Sequence, residues 1–187
     1  MKKIAIFASG QGSNAESIIR YFRTVDPRAE VALVVTNRAD APVINRASNL
    51  GVDSVVVSRN ELTDGTVLTL LEDRSVDLVV LAGFLLMIPL QLIERYRGHI
   101  INIHPSLLPK FGGKGMYGDR VHEAVVAAGE RQTGITIHHV NEHYDDGAII
   151  FQATVDLDPT DTPADVARKV RQLELTHFAP IIAKSFL

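Results

Sequence analysis

Short runs that are apolar from end to end recur along this chain, each followed by a longer stretch of helical periodicity. That alternation is the strongest constraint on its fold. "KIAIFA" opens the series, and "VALVV" (Val31 to Val35), "VDSVVV", "VDLVVLAGF" and "HIINIHP" follow. A strand with one wet face alternates apolar and polar residues. These runs do not, so both faces must be covered, as happens when helices flank a parallel sheet. The intervening segments supply the helices. Ser13 to about Thr24 carries Ile18, Ile19 and Phe22 on one face, and Val43 to Leu50 ends at Gly51, a residue suited to a left-handed C-cap. Further helices are expected near Leu68 to Arg74 and Leu90 to Arg95.

After residue 110 the pattern changes. A glycine-rich loop, "FGGKGMYG" (Phe111 to Gly118), precedes a short helix in "DRVHEAVVAAG". Two adjacent strands, "GITIHHV" and "AIIFQATV", are then joined by the ionisable connector "NEHYDDG". A long helix closes the sequence, with Thr162 as N-cap and Pro163 at its first position. No repeat, low-complexity tract or linker interrupts this order. At 187 residues the chain reads as one domain spanning 1–187, its variable chemistry weighted to the second half.

The bulk properties exclude several classes of partner. A net charge of −3 gives no global attraction to nucleic acid or to an anionic membrane. The absence of cysteine removes disulfides, thiolate zinc sites and thiol nucleophiles. "MKKIAIFASGQG" faintly resembles a leader, but Gly10 and Gly12 break its apolar run too early, and no segment approaches the roughly 20 apolar residues of a membrane span. A cytoplasmic protein acting on small molecules is expected.

Two stretches carry chemistry. In "FASGQGSNAES", Gly10, Gly12 and Ala15 fit a G-x-G-x-x-G/A turn after a strand. Three readings stand: a dinucleotide site, a tight turn with no ligand, or a pocket for one phosphate. The dinucleotide reading wants an acidic residue about 20 positions on, where this chain has Thr36, Asn37 and Arg38. The Gly-Lys-Ser/Thr ending of a nucleotide P-loop is also missing. Ser13 and Asn14 set a hydroxyl and an amide beside the free N–H groups of a helix start, so a phosphomonoester fits best.

In "INIHPSLLPKF", Asn102 and His104 lie two apart on a strand and share a face. An amide and an imidazole at the carboxyl end of a sheet suit a carbonyl reaction through a tetrahedral intermediate, with Asn102 donating to the oxyanion and His104 moving a proton. The alternative is a polar cap on a strand end. Asp145 on the acidic connector favours the catalytic reading, because a carboxylate beside the imidazole would raise its pKa. His138 and His139 point to opposite faces of one strand, so at most one can line the site. No metal-ligand spacing occurs among the seven histidines, and Ser106 lacks a nucleophile elbow.

Taken together, "SGQGSN", "TNRADAP", "VDLVVLAGF", "INIHPSLLPKF", "GITIHHVNEHYDDGAIIFQATV" and "VRQLE" resemble, in order and over nearly the whole chain, the phosphoribosylglycinamide formyltransferase family of folate-dependent enzymes. The resemblance implies a single α/β Rossmann-like three-layer domain, mostly parallel, with an antiparallel element in the C-terminal half. It implies formyl transfer from 10-formyltetrahydrofolate to the amine of 5′-phosphoribosylglycinamide in purine biosynthesis, without metal or nucleic acid, by a monomer or weak homodimer. Asn102, His104 and Asp145 match the catalytic trio. Gly12, Ser13, Asn14 and Glu174 match substrate-binding positions. Arg59, Leu85, Leu86, Met87, Ile88 and Asn102 match folate-binding positions. Two departures stand out: Leu86 replaces an arginine common in the family, and "GGKGMYGDR" is longer than the usual loop and lacks its histidines. The loop Leu108-Pro109 is expected to hold a cis peptide.

Overall fold

The computed structural model describes all residues, 1–187. Its elements run β1 (Lys2–Phe7), α1 (Ser13–Thr24), β2 (Ala29–Thr36), α2 (Val43–Asn49), β3 (Ser54–Val56), α3 (Arg59–Thr63), α4 (Thr66–Asp73) and β4 (Leu78–Leu81). They continue with α5 (Leu90–Arg95), β5 (Ile100–His104), α6 (Asp119–Ala127), β6 (Gln132–His139), β7 (Ile149–Asp156) and α7 (Pro163–Phe186). One seven-stranded sheet has the order β3-β2-β1-β4-β5-β6-β7. The first five strands are parallel, β6 runs antiparallel to β5, and β7 antiparallel to β6.

Strand periodicity explains the three layers. On β1, Ile4 and Ile6 pack with α1, α2, α6 and α7, while Ala5 and Phe7 pack on the opposite face with α3, α4 and α5. All four are wholly buried, which is why the run "IAIF" contains no polar residue. The long helix α7 starts as its sequence requires. Thr162 and Asp165 form a reciprocal capping box, and Pro163 occupies the first turn, where its missing N–H costs nothing.

The differences from expectation are local. α3 is a five-residue helix in "SRNELTDG", started by a capping box between Ser58 and Glu61; the S-x-x-E spacing was its signal. β3 is shorter than "VDSVVV", because this edge strand pairs with β2 alone. β4 stops at Leu81, and Gly83 turns the chain away at φ +82. Leu108-Pro109 is cis, as expected. No helix is long and apolar enough to cross a membrane.

Candidate active site

A cavity of about 440 Å³ opens at the carboxyl ends of β1, β4 and β5. Crossovers leave β1 in both directions there, with β2 on one side and β4 on the other. Such a divergence is where open parallel sheets bind ligands.

Asn102 and His104 both reach this cavity from β5, and Asp145 reaches it from the β6–β7 connector. β6 runs antiparallel to β5 and ends with His139 opposite Ile101, near the amino end of β5, and the connector that follows brings Asp145 back to Asn102 and His104. Asp145 Oδ2 lies 3.5 Å from His104 Nδ1 and accepts the Gly113 N–H at 2.9 Å. His104 Nε2–H donates to the carbonyl of Phe111 at 2.8 Å. Burial holds the His104 imidazole below the usual histidine range, against the opposing pull of Asp145 and the Phe111 carbonyl. Burial also works to raise Asp145, but His138, His104 and the Gly113 N–H outweigh it and keep the carboxyl below its usual range. The free protein therefore pairs a carboxylate with a neutral imidazole at neutral pH. This corrects the expected upward shift of His104: the aspartate pulls in that direction, but desolvation of the buried ring is the larger effect.

The Asn102 amide is turned inward. Its Nδ2 donates to His138 Nε2 at 3.1 Å and, more weakly, to Asp145 Oδ1 at 3.5 Å. Oδ1 is the end left without a protein partner. As it stands, the amide offers an acceptor where an oxyanion would need a donor.

At the opposite end, the first-turn N–H groups of α1 have no partners within the helix. Gly10 and Asn14 line the cavity, whereas Gly12 and Ser13 stand off the lining. Asn14 Nδ2 donates to Glu174 Oε2 at 2.9 Å, tying the first helix to the last, and Asn14 Oδ1 is buried without a donor. Burial pushes the Glu174 carboxyl up, opposed by Asn14 and Arg171. Gly12 has φ +75, and a Cβ there would stand 2.5 Å from Val43 Cγ2. The packing of α2 is therefore sufficient to demand glycine at 12. Val43 N–H also donates to Gly10 O at 3.2 Å and Arg46 Nε to Gln11 O at 2.7 Å, while the Arg46 guanidinium pairs with Glu16.

Leu85, Leu86, Met87 and Ile88 form an apolar wall of the cavity, with Leu85 and Met87 about half exposed at 49% and 45%. Leu85 N–H donates to Ser9 Oγ at 2.9 Å, and Phe84 meets Phe7 edge-on with ring centroids 5.2 Å apart. These contacts lock the wall to the end of β1. Arg59, by contrast, is exposed at the start of α3 and does not line the cavity. At the end of β2 Asn37 bonds Ser9 Oγ, and Arg38 pairs with Asp40, so no free carboxylate waits for a dinucleotide ribose.

Two buried histidines on the lining had no assigned role in the sequence reading, His138 and His122. Strand alternation on β6 limited the choice to one of His138 and His139, and His138 is the inward one. His122 sits beside Val121 on α6, whose i, i+4 partner Val125 marks the buried face. Its Nδ1 has no hydrogen-bond partner, and burial holds its pKa down, opposed by Asp119. No group of three or more His, Cys, Asp or Glu side chains is arranged to hold a metal ion.

A parallel sheet ending in this amide–imidazole–carboxylate cluster defines a class, and comparison with known proteins identifies it. The chain belongs to the formyl transferase family, whose model matches residues 2–182. Within that family it is 39% identical to the chloroplastic phosphoribosylglycinamide formyltransferase of Arabidopsis thaliana, over 97% of this chain and 64% of that protein. The chain thus spans just under two thirds of that plant relative. It is 37% identical to the phosphoribosylglycinamide formyltransferase of Haemophilus influenzae, over 100% of this chain and 87% of that one. The crystal structure of phosphoribosylglycinamide formyltransferase from Bacillus halodurans superposes with a TM-score of 0.90 at 34% identity, covering 98% of this chain and 94% of that one.

Proposed function

We propose that this chain transfers a formyl group from 10-formyltetrahydrofolate to the primary amine of 5′-phosphoribosylglycinamide, giving the N-formyl product and tetrahydrofolate in purine biosynthesis. The observation that carries this reading is one cavity that holds Asn102, His104 and Asp145 between the α1 N-terminus and the Leu85–Ile88 wall. Its volume lies within the range of small-ligand sites. The α1 terminus with Gly12, Ser13 and Asn14 suits the phosphate, and Glu174 the ribosylglycinamide part. Leu85 to Ile88 suit a flat heteroaromatic ring, and the exposed Arg59 is left to the outer part of the folate.

The substrate amine is the nucleophile, so no covalent enzyme intermediate is required. Its nitrogen bonds the formyl carbon, an oxyanion forms, the bond to the folate nitrogen breaks, and one proton passes from the amine to that nitrogen. His104 is the shuttle for this proton, and the Asp145 carboxylate stabilises the imidazolium that forms in transit. Asn102 hydrogen-bonds the reacting groups. For His104 Nε2 to take the amine proton, the Phe111 carbonyl must first give way and the ring proton must shift to Nδ1, which faces the Asp145 carboxylate. The same reading makes the protein a cytoplasmic enzyme of small molecules, monomeric or weakly dimeric.

The test is turnover of purified protein with both substrates, followed by folate release and by mass of the ribonucleotide. Formylation that needs both compounds is expected. Binding of NADH with no formyl transfer would overturn the reading.

A further inference from the structure

His122 is buried at 7% exposure, yet its imidazole makes no hydrogen bond within the protein. Nδ1 is sealed off completely, whereas Nε2 is not, and the ring lines the cavity. Nε2 is thus the nitrogen open to whatever enters. A ring kept only to fill space would do better as an apolar side chain. Burying a polar atom without a partner is unfavourable, and a phenyl ring of similar shape avoids it. The imidazole is therefore explained by a partner that the protein itself does not supply.

Its position says what that partner is. Val121 and Val125 mark the core face of α6 and are wholly buried. His122 follows Val121, about 100° further around the helix, and so stands at the seam between core and cavity. The charged and titratable groups acting on it are Asp119 on its own helix, His104 on β5 and Arg171 on α7. Arg171 acts in turn on Glu174, at the ribosyl end of the site. His122 therefore occupies the lining between the reaction centre and that end. Burial keeps the ring neutral at neutral pH, with Asp119 alone pulling the other way. A neutral ring carries no charge to set against a phosphate, but it can hydrogen-bond an amide or a hydroxyl.

We infer that His122 is a substrate-binding residue, hydrogen-bonding through Nε2 an uncharged polar group between the amine and the phosphate of the ribonucleotide. The groups of that class there are the glycinamide amide and the ribose hydroxyls. This deepens the formyl-transfer reading and rests on it. The bond gives Nε2 the partner it lacks, and it holds the segment that carries the amine towards His104. It also lets the site reject a phosphorylated sugar with no polar group at this point, because Nε2 would be stripped of water and left unpaired.

Binding of 5′-phosphoribosylglycinamide, measured by calorimetry without folate, tests the inference. His122→Phe removes both nitrogens and keeps the bulk of the ring. It should melt at or above the wild-type temperature at about pH 7.5, because the orphaned Nδ1 is gone. Its Kd for the ribonucleotide should rise ~10-fold or more, while Kd for inorganic phosphate and KM for the folate stay within ~3-fold. His122→Gln, which restores a polar group near the place of Nε2, should bring the ribonucleotide Kd back to within ~3-fold of wild type. In wild-type protein, the ¹⁵N resonance of His122 Nε2 should move on saturation with ribonucleotide and stay unmoved with inorganic phosphate. A resonance that ignores the ribonucleotide would overturn the inference, whatever the variants do. So would equal losses for ribonucleotide and inorganic phosphate, which would make His122 a phosphate ligand. Wild-type binding without formyl transfer would fell the parent reading alone, and no binding by wild type would fell both.

Discussion

His104 donates its Nε2–H to the backbone carbonyl of Phe111, 2.8 Å away, and Phe111 holds a left-handed conformation at φ +55. A residue with a Cβ pays a conformational cost there. The loop from Phe111 to Gly118 thus engages one nitrogen of the imidazole while Asp145 faces the other. Proton transfer requires this bond to be exchanged for one to substrate, so the loop and the chemistry are coupled.

Asp145→Asn keeps the shape of the side chain and removes its charge. Burial already depresses the His104 pKa and Asp145 opposes it, so the variant's His104 should titrate lower still. We expect kcat to fall ~10²-fold or more, with a much smaller change in KM, because the lost charge acts on the imidazolium formed in transit. NMR titration of His104 and the pH–rate profile check this together. Unchanged values of both would remove Asp145 from the mechanism.

Stability should fall on mild acidification. His104, His122 and His139 all have folded pKa values lowered chiefly by burial. Below about pH 6.5 the unfolded chain binds protons that the folded chain resists, so unfolding free energy decreases as pH falls toward the folded values. Glu174, raised by burial, works in the opposite direction above the ordinary glutamate pKa, but it is one group against three. The Tm should therefore drop between about pH 7.5 and about pH 5.5, and His122→Phe should flatten that slope. A Tm constant over this interval would contradict the assignment.

Gly10 and Gly12 should respond differently to alanine. A Cβ at Gly10 meets nothing within 4 Å, and the residue lines the cavity. Gly10→Ala should leave Tm nearly unchanged and raise KM for the phosphorylated substrate. At Gly12 the positive φ and the approach of Val43 make Gly12→Ala destabilising by about 1–3 kcal/mol. Thermal melts and steady-state kinetics on the two variants separate the effects. Equal loss of stability in both would show that Val43 is not the controlling neighbour.

Arg46 offers a milder perturbation of the same loop. Its side chain is 40% exposed, so its ion pair with Glu16 contributes little to stability. Its bond to Gln11 O, however, fixes the backbone between the two glycines. Arg46→Met should raise KM for the phosphorylated substrate ~3- to 10-fold, leaving kcat and the folate KM near wild type. A fall in kcat alone would detach Arg46 from this loop.

The layered architecture was legible because burial on both faces leaves a direct mark: "IAIF" and "LVVL" have no room for a polar residue. Asn102 and His104 were legible for a related reason, since a two-residue spacing on a strand fixes a shared face. Asp145 was found as a charge on a connector and through the family resemblance, because its approach depends on how β6 pairs with β5. The contacts of Gly12, the burial of His104 and the partner of His138 were not legible. Each depends on a segment distant in sequence, and local pattern says nothing about what packs against it.

The approach of Gly12 to Val43 also limits how this chain can vary. Val43→Ala would leave its Cβ in the path, and even Val43→Gly would leave the Cα 2.8 Å from any new Cβ at position 12. No single compensating substitution opens the site. Only withdrawal of the α2 backbone would, and that would break the Val43–Gly10 bond that α2 itself makes to the loop. Position 12 is thus cut off from stepwise exploration: neither order of change passes through a sound intermediate. Gly10, two residues away, carries no such constraint, since a Cβ there meets nothing within 4 Å.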